Sequence, residues 1–255
     1  MRIQPVPGIP ALKVDDTLVI GDLHIGVEAH LGKKGVHLTS RTDKMFDAVM
    51  EAAGTDINRI LMIGDIKDSV PGSTRQEYRE IPVFCDRLLD NFSEVGIVRG
   101  NHDTNIEEYL PPEVKVAPAS GMKIGDTGFI HGHTWPSADV MDCRTLVLAH
   151  NHPAMYFVDG VKKQTAEPCW LRGRFVSGGE KYERFPESFI VVPAFNRILG
   201  GSPVNAENGE FLGPLMKSEF MDLDNSGIHL LDGIYLGVRK DNLVKCRLSS
   251  RYRRD

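Results

Sequence analysis

Short apolar runs alternate with helical spacing through the first half of the chain. Thr17-Leu18-Val19-Ile20 reads as a buried strand, as do Arg59-Ile60-Leu61-Met62-Ile63 and Val95-Gly96-Ile97-Val98. Runs this short, bounded by turn residues, suit strands covered on both faces. Between the first two, residues 40–53 place Met45, Phe46, Val49 and Met50 on one helical face. Ser40 is the expected N-cap, with Asp43 three positions on, and Gly54 suits the stop. A second helix is expected within residues 74–91, where Pro82 either kinks it or starts its second part. The order β-α-β-α-β implies parallel strands joined by right-handed crossovers.

After residue 112 strands and turns take over. Met122-Lys123-Ile124 and Phe129-Ile130 flank a Gly125-Asp126-Thr127-Gly128 turn, and Thr145–Leu148 is a further strand. Asp159-Gly160, between Met155–Val158 and Val161, is a hairpin cue. Residues 188–195 and 228–248 are further β candidates. No repeat or long linker interrupts the chain. It reads as a single domain over residues 1–255, with a β-rich part at 153–248 and a basic tail at 245–255. The expected fold is α/β: a four-layer αββα sandwich of two mixed β-sheets flanked by helices.

Composition narrows the class. With 255 residues, 41% hydrophobic and 25% charged, the chain is globular and long enough for a real core. Its longest apolar runs, such as Phe189–Val192, fall far short of the ~20 residues of a membrane helix, so no membrane partner is expected. Thirty basic against 35 acidic residues, net −5, exclude a general basic coat for nucleic acid but not a local patch. Cys85, Cys143, Cys169 and Cys246 are widely spaced and read as unpaired thiols. With no apolar signal core in residues 1–8, a cytoplasmic location is expected. The pattern is silent on homo-oligomer formation.

Five apolar strands each run into a polar cluster. Thr17–Ile20 leads to Gly21-Asp22-Leu23-His24, and Arg59–Ile63 to Gly64-Asp65-Ile66-Lys67-Asp68. The third strand leads to Gly100-Asn101-His102-Asp103, Phe129-Ile130 to His131-Gly132-His133, and Leu146–Ala149 to His150-Asn151-His152. Each cluster alone is an ordinary polar turn. Five in order can converge, because ligand sites in open α/β sheets form outside the carboxyl ends of strands. Residues i and i+2 of an extended chain point the same way, so Asp22 with His24, and His150 with His152, can act as pairs. Carboxylate, amide and imidazole suit Mn²⁺, Fe or Zn²⁺. Six of the nine histidines lie in these clusters, which random surface placement does not explain. His30, His37 and His229 read as ordinary.

The order Asp-x-His, Gly-Asp-x-x-Asp, Gly-Asn-His-Asp, His-Gly-His and His-x-His resembles the calcineurin-like metallophosphoesterases. The motifs cover residues 21–152. Ala149 stands where the family's last motif usually has glycine. Asp22-Leu23-His24-Ile25-Gly26, His152-Pro153, Val192-Pro193-Ala194-Phe195 and Gly200-Gly201 are similar to a small prokaryotic branch, with archaeal and ligase-associated DNA-repair phosphoesterases. The resemblance implies two divalent transition metals, Mn first, with Fe, Zn or Ni as alternatives. Asp22, His24, Asp65 and His152 would hold one ion. Asp65, Asn101, His131 and His150 would hold the other, with Asp65 bridging. Paired cations lower the pKa of a shared water and clamp both oxygens of an in-line displacement. The family pattern makes His102 the group that contacts phosphate and protonates the leaving oxygen, with Asp68 orienting its ring. His133 stands behind the ligands, faces substrate, or is itself a ligand. Asp103 most simply holds its own turn, with a place near substrate as the alternative.

Substrate readers are fewer. Trp135 and Trp170 can stack on a base or pack in the core. Lys245, Arg247, Arg251, Arg253 and Arg254, with Tyr252 among them, form a basic tail suited to nucleic acid or simply to solvent. Gly32-Lys33-Lys34 lacks the rest of a P-loop, and the residues from Asp222 lack the closing Glu of an EF-hand. The expected protein is a metal-dependent phosphoesterase that hydrolyses phosphodiesters, with DNA or RNA as the candidate polymer. The alternatives are a phosphoesterase for small phosphoesters or cyclic nucleotides, and a non-catalytic scaffold that keeps the fold.

Overall fold

In the computed structural model, which describes residues 2–161 and 163–245, the strand runs seen in the sequence sort into two mixed sheets. The first sheet holds β1 (Ile3–Pro5), β2 (Leu12–Val14), β3 (Thr17–Ile20), β4 (Arg59–Ile63), β5 (Glu94–Val98) and β6 (Lys115–Ala117), in that order. Strands β3 to β6 are parallel, and β1 and β2 extend the edge antiparallel. The second sheet holds β7 (Met122–Ile124), β8 (Thr127–Ile130), β9 (Thr145–Leu148), β10 (Pro153–Val158), β11 (Gln164–Arg174), β12 (Ser188–Val191), β13 (Ser202–Pro203), β14 (Gly227–Leu230) and β15 (Tyr235–Val238). Its main order is β13-β10-β11-β12-β9-β8-β7, with β14 on β11 and β15 on β14. Parallel pairs β8·β9 and β9·β12 put the carboxyl ends of these strands together.

Alternation along the strands builds the layers. Leu18, Ile20, Ile60, Met62, Val95 and Ile97 face outward, against α2 (Thr42–Ala53) and α3 (Arg75–Leu89), the helices that follow α1 (Val27–Lys33). Val19, Leu61, Ile63 and Val98 point the other way and meet Phe129, Val147, Trp170 and Ile190 of the second sheet. The outer face of the second sheet packs on α4 (Ala138–Met141) and on irregular segments that carry Leu215, Met216 and Met221. Four layers therefore form as expected, the fourth built largely of loops. No helix among the described residues is long and apolar enough to cross a membrane.

Several local expectations change. Helix α2 starts at Thr42, and Ser40 accepts the Thr42 backbone N–H rather than one deeper in the first turn. Pro82 lies inside one continuous helix, α3. Thr74 and Glu77 form a capping box at its start. The hairpin after β10 closes through five residues, held by Asp159 N–H to Lys163 carbonyl and by the Asp159 carboxylate. The strand expected at 188–195 ends at Val191, because Pro193 has no N–H and the chain then turns to reach Gly21. The segment expected as strand over 228–248 divides into β14, β15 and a short helical turn at Arg239–Asn242. Three described cysteines, Cys85, Cys143 and Cys169, are free. Cys246 and the tail cations Arg247, Arg251, Arg253 and Arg254, with Tyr252, lie outside the described residues.

Candidate metal centre

The carboxyl ends of β3, β4, β5, β8 and β9 bring the polar clusters to one end of the paired sheets. Asp22, His24 and His152 form one group whose ligand atoms lie within 4.8 Å of one another, and Asp65, His131 and His150 form another. His24, Asp65 and His102 form a third, which overlaps the first two. Asn101 joins the second group, with its Oδ1 3.1 Å from His131 Nε2. His150 and His152 thus serve opposite halves of the site.

The backbone that makes this possible is not the extended chain expected for the Asp22/His24 and His150/His152 pairs. Asp22 (φ 57°), His24 (φ 44°), Asp65 (φ 52°), His150 (φ 69°) and His152 (φ 42°) all adopt the left-handed conformation. That conformation is costly for residues with a Cβ and clusters at functional sites. Each strand end curls sharply, so consecutive turns aim donors into one small space. Gly100 is needed at the same place: a Cβ there would lie 2.2 Å from Asp65 Oδ1. Ala149, where the family pattern has glycine, is fully buried in the core between the sheets and leaves both flanking imidazoles in place.

Three imidazoles are locked in one tautomer. His131 donates from Nδ1 to the Ile63 carbonyl at 3.0 Å, and His102 from Nδ1 to the Asp68 carbonyl at 2.5 Å. His24 donates from Nδ1 to Asp68 Oδ1 at 3.2 Å. Each thereby turns Nε2 inward. These Nε2 atoms stand 3.2 Å (His131), 3.5 Å (His24) and 4.0 Å (His102) from the same oxygen, Asp65 Oδ2. Asp22 Oδ1 lies 3.2 Å from His152 Nε2. Three Nε2 atoms therefore face one carboxylate from several sides, where a bound cation would take the place of shared protons. Asp22 Oδ1 and His24 Nε2 are buried with no hydrogen-bond partner. Buried acceptors converging without donors are the environment a divalent cation satisfies, so the residues present fit metal ions.

Electrostatics reflect the same crowding. Burial pushes Asp22 and Asp65 up, but His152 and His131, respectively, outweigh it and hold both carboxyls below the usual range. Burial opposes protonation of His131, yet Asp65 and Asp22 lift it to about 9. Burial, then the neighbouring His131, drive His150 down to about 3 and His133 to about 4.

Asp68 departs from its expected contact. Its carboxylate holds His24, and only its backbone carbonyl holds His102. The reason is geometric: the loop after β4 runs on parallel to the loop after β3, with the Ile25 N–H on the Ile66 carbonyl and the Asp68 N–H on the Ile25 carbonyl, so the Asp68 side chain falls beside the β3 loop. Asp103 is fully buried and accepts backbone N–H groups from Asp65, Ile66 and Gly100 at 2.8 Å each, away from any substrate surface. Trp170 is buried between the sheets and cannot stack on a base. Trp135 stays half-buried against Tyr182 and Phe220, with Lys181 Nζ 5.1 Å from its ring centre. His133 keeps a buried, unpartnered Nδ1, 5.3 Å ring to ring from His131.

Supporting residues that the sequence reading does not name also stand out. Glu77 accepts the Asp68 and Ser69 backbone N–H groups at 3.0 and 2.6 Å, so the α3 capping box also shapes the loop after β4. The Thr74-x-x-Glu77 spacing was a readable signal for it. Asn196 donates its side-chain N–H to the Leu23 carbonyl at 2.8 Å, and no local pattern marks it. His30, read as ordinary, brings Nδ1 within 3.9 Å of Asp68 Oδ2.

A family model described as calcineurin-like phosphoesterase matches residues 16–192. Among solved structures, the crystal structure of Pseudomonas putida nuclease MPE is 18% identical with a TM-score of 0.52, over 93% of this chain and 100% of that one. A metallophosphoesterase from Sphaerobacter thermophilus is 15% identical with a TM-score of 0.35, over 89% of this chain and 90% of its own. No curated protein matches. At 18% identity, the likeness to the nuclease bears on fold.

Proposed function

The chain belongs to the calcineurin-like phosphoesterase family, and from that premise we propose that it is a dinuclear phosphodiesterase acting on nucleic acid. The observation that carries this reading is the position of Asp65, whose Oδ2 faces Nε2 of both His24 and His131. Asp22, His24, Asp65 and His152 would hold one divalent ion, and Asp65, Asn101, His131 and His150 the other, with Mn²⁺ the first candidate and Fe, Zn or Ni the alternatives. When bound, such a pair acidifies a water and neutralises charge on a phosphoryl group undergoing in-line displacement.

The chain's own groups supply the rest. His102 is one-fifth exposed, and its ring is fixed by the Asp68 carbonyl. Its Nε2 is the atom free to contact a phosphate oxygen and to hand a proton to the leaving oxygen. His133 stands beside His131, 5.3 Å ring to ring, where a flanking sugar or base would lie, and Trp135, two residues on, is the aromatic nearest in sequence to that side. The nuclease among the structural neighbours supports a nucleic-acid substrate over a small one.

The test is a panel with Mn²⁺-loaded protein: an aryl phosphodiester, an aryl monoester, cyclic nucleotides and single-stranded DNA. Turnover of the aryl diester and of DNA above the monoester is expected. A protein that turns over only the monoester or the cyclic nucleotides would overturn the substrate assignment.

A further inference from the structure

A cavity of about 300 Å³ opens along α2, from Arg41 before its first turn to Glu51, and is closed by residues 7–10 and 195–197. Helix α2 leads back into β4, so its first turn lies at the sheet end where β3 and β4 release Asp22 and Asp65. Asn196 lines this cavity. It also donates its backbone N–H to the Asp22 carbonyl at 3.3 Å and its side-chain N–H to the Leu23 carbonyl at 2.8 Å. The cavity wall and the loop that carries Asp22 are therefore one hydrogen-bonded unit.

The lining has a consistent chemistry. Met45, Ala48 and Phe195 give it apolar surface, while Arg41, Lys44 and Arg197 bring three cations. Among the described residues none of these three forms an ion pair, whereas Arg59, Arg87 and Arg99 pair with Asp16, Asp43 and Glu107 elsewhere. Glu51 is the only acidic side chain in the lining. In a chain of net charge −5 this is a local reversal of sign. The opposite end of the same sheet shows the contrast. There a cavity of about 620 Å³ between the end of α3 and the start of β5 is lined by Asp86, Asp90, Glu94 and Glu113, and its Lys115 is already paired with Glu94. A polyanion meets attraction at the metal end and repulsion at the other.

We propose that the Arg41/Lys44/Arg197 cavity is a second phosphate subsite, which holds the backbone of a single-stranded nucleic acid on one side of the bond being cut. The proposal deepens the nucleic-acid reading above and rests on it. Cations at the mouth take the phosphate oxygens, and the apolar lining accepts a sugar or base face without reading its identity. The subsite positions the strand against the metal centre through the Asn196 link and leaves a small diester untouched.

The test uses the double variant Lys44→Ala/Arg197→Ala, both side chains being exposed. Binding of a cleavage-resistant phosphorothioate oligothymidylate to Mn²⁺-loaded protein is followed across a salt series. Two lost phosphate contacts should flatten the slope of log K against log salt by about 1.4, at ~0.7 per contact on a single strand. Aryl diester turnover should be unchanged. An unchanged slope, or a wild type that shows no salt-dependent binding, overturns the subsite. Binding is read without turnover, so a wild type inactive on the aryl diester would overturn the catalytic reading while the slope still decides the subsite.

Discussion

One oxygen of Asp103 accepts the backbone N–H of Asp65 at 2.8 Å and the N–H of Gly100 at the same distance, which ties the loop after β5 to the loop after β4. The other oxygen takes the Ile66 N–H at 2.8 Å. Asp103→Asn would place an amide donor against one set of these donors. Hydrogen bonds to a charged acceptor contribute about 1.5–3 kcal/mol each, so a loss of about 3 kcal/mol is expected. Urea unfolding of the two proteins checks it, and an unshifted midpoint would contradict the role given to Asp103.

Metal content tests the shared position of Asp65. Purified protein should carry about two transition-metal ions per chain, and chelation should abolish turnover. His152→Ala and His150→Ala should each lower occupancy in one half of the site, because the two rings belong to different groups. Asp65→Asn should empty both halves. Elemental analysis in which Asp65→Asn retains as much metal as either histidine variant would remove Asp65 from the bridge.

His102 and Asp68 should separate in kinetics. His102→Gln is expected to keep its metal and lose turnover by about 10²–10⁴, the usual scale for acid–base catalysis. Asp68→Asn leaves the carbonyl that holds His102 and disturbs the carboxylate that holds His24. Its expected cost is about 10–100-fold in metal affinity, recovered by excess metal. If excess metal restores His102→Gln and fails to restore Asp68→Asn, the two roles are reversed.

The metal-free protein should have its stability maximum near pH 6.5, the ordinary value for histidine. Despite burial, Asp65 holds His131 at about 9. That raised value stabilises the fold fully below about 6.5, and the contribution is lost as pH climbs through 9. Burial, with His131 behind it, holds His150 at about 3 and His133 at about 4. On the acid side the unfolded chain therefore takes protons that the fold refuses, and stability falls there too. Melting temperatures in chelator across pH read both limbs. His131→Asn should flatten the alkaline limb, and an equally steep limb in that variant would rule out His131 as its source.

The sequence exposed the strand ends because burial on both faces leaves an unbroken apolar run, and each run stops where Asp, Asn or His begins. It could not show which way each side chain turns. Five residues of the site depend on left-handed backbone, which carries no hydrophobic period. Asp68 was expected to orient His102, but the parallel run of the loops after β3 and β4 hands its carboxylate to His24 and leaves only its backbone carbonyl for His102. Trp170 could stack on a base or pack in the core, and what decides is the face of β11 it occupies, against Leu61, Phe129 and Ile190 between the sheets, which its sequence neighbours do not reveal. Asn196 acts across 173 positions of chain, beyond the reach of any local pattern.

The left-handed residues also set two demands on this chain against each other. His152 sits at φ 42°, where glycine would rest without the strain that a Cβ adds, roughly 1 kcal/mol. Replacing it with glycine would relax the backbone while deleting a ligand. Variants chosen for heat resistance alone would therefore drift toward an inert protein, losing the reactive corner of the fold first.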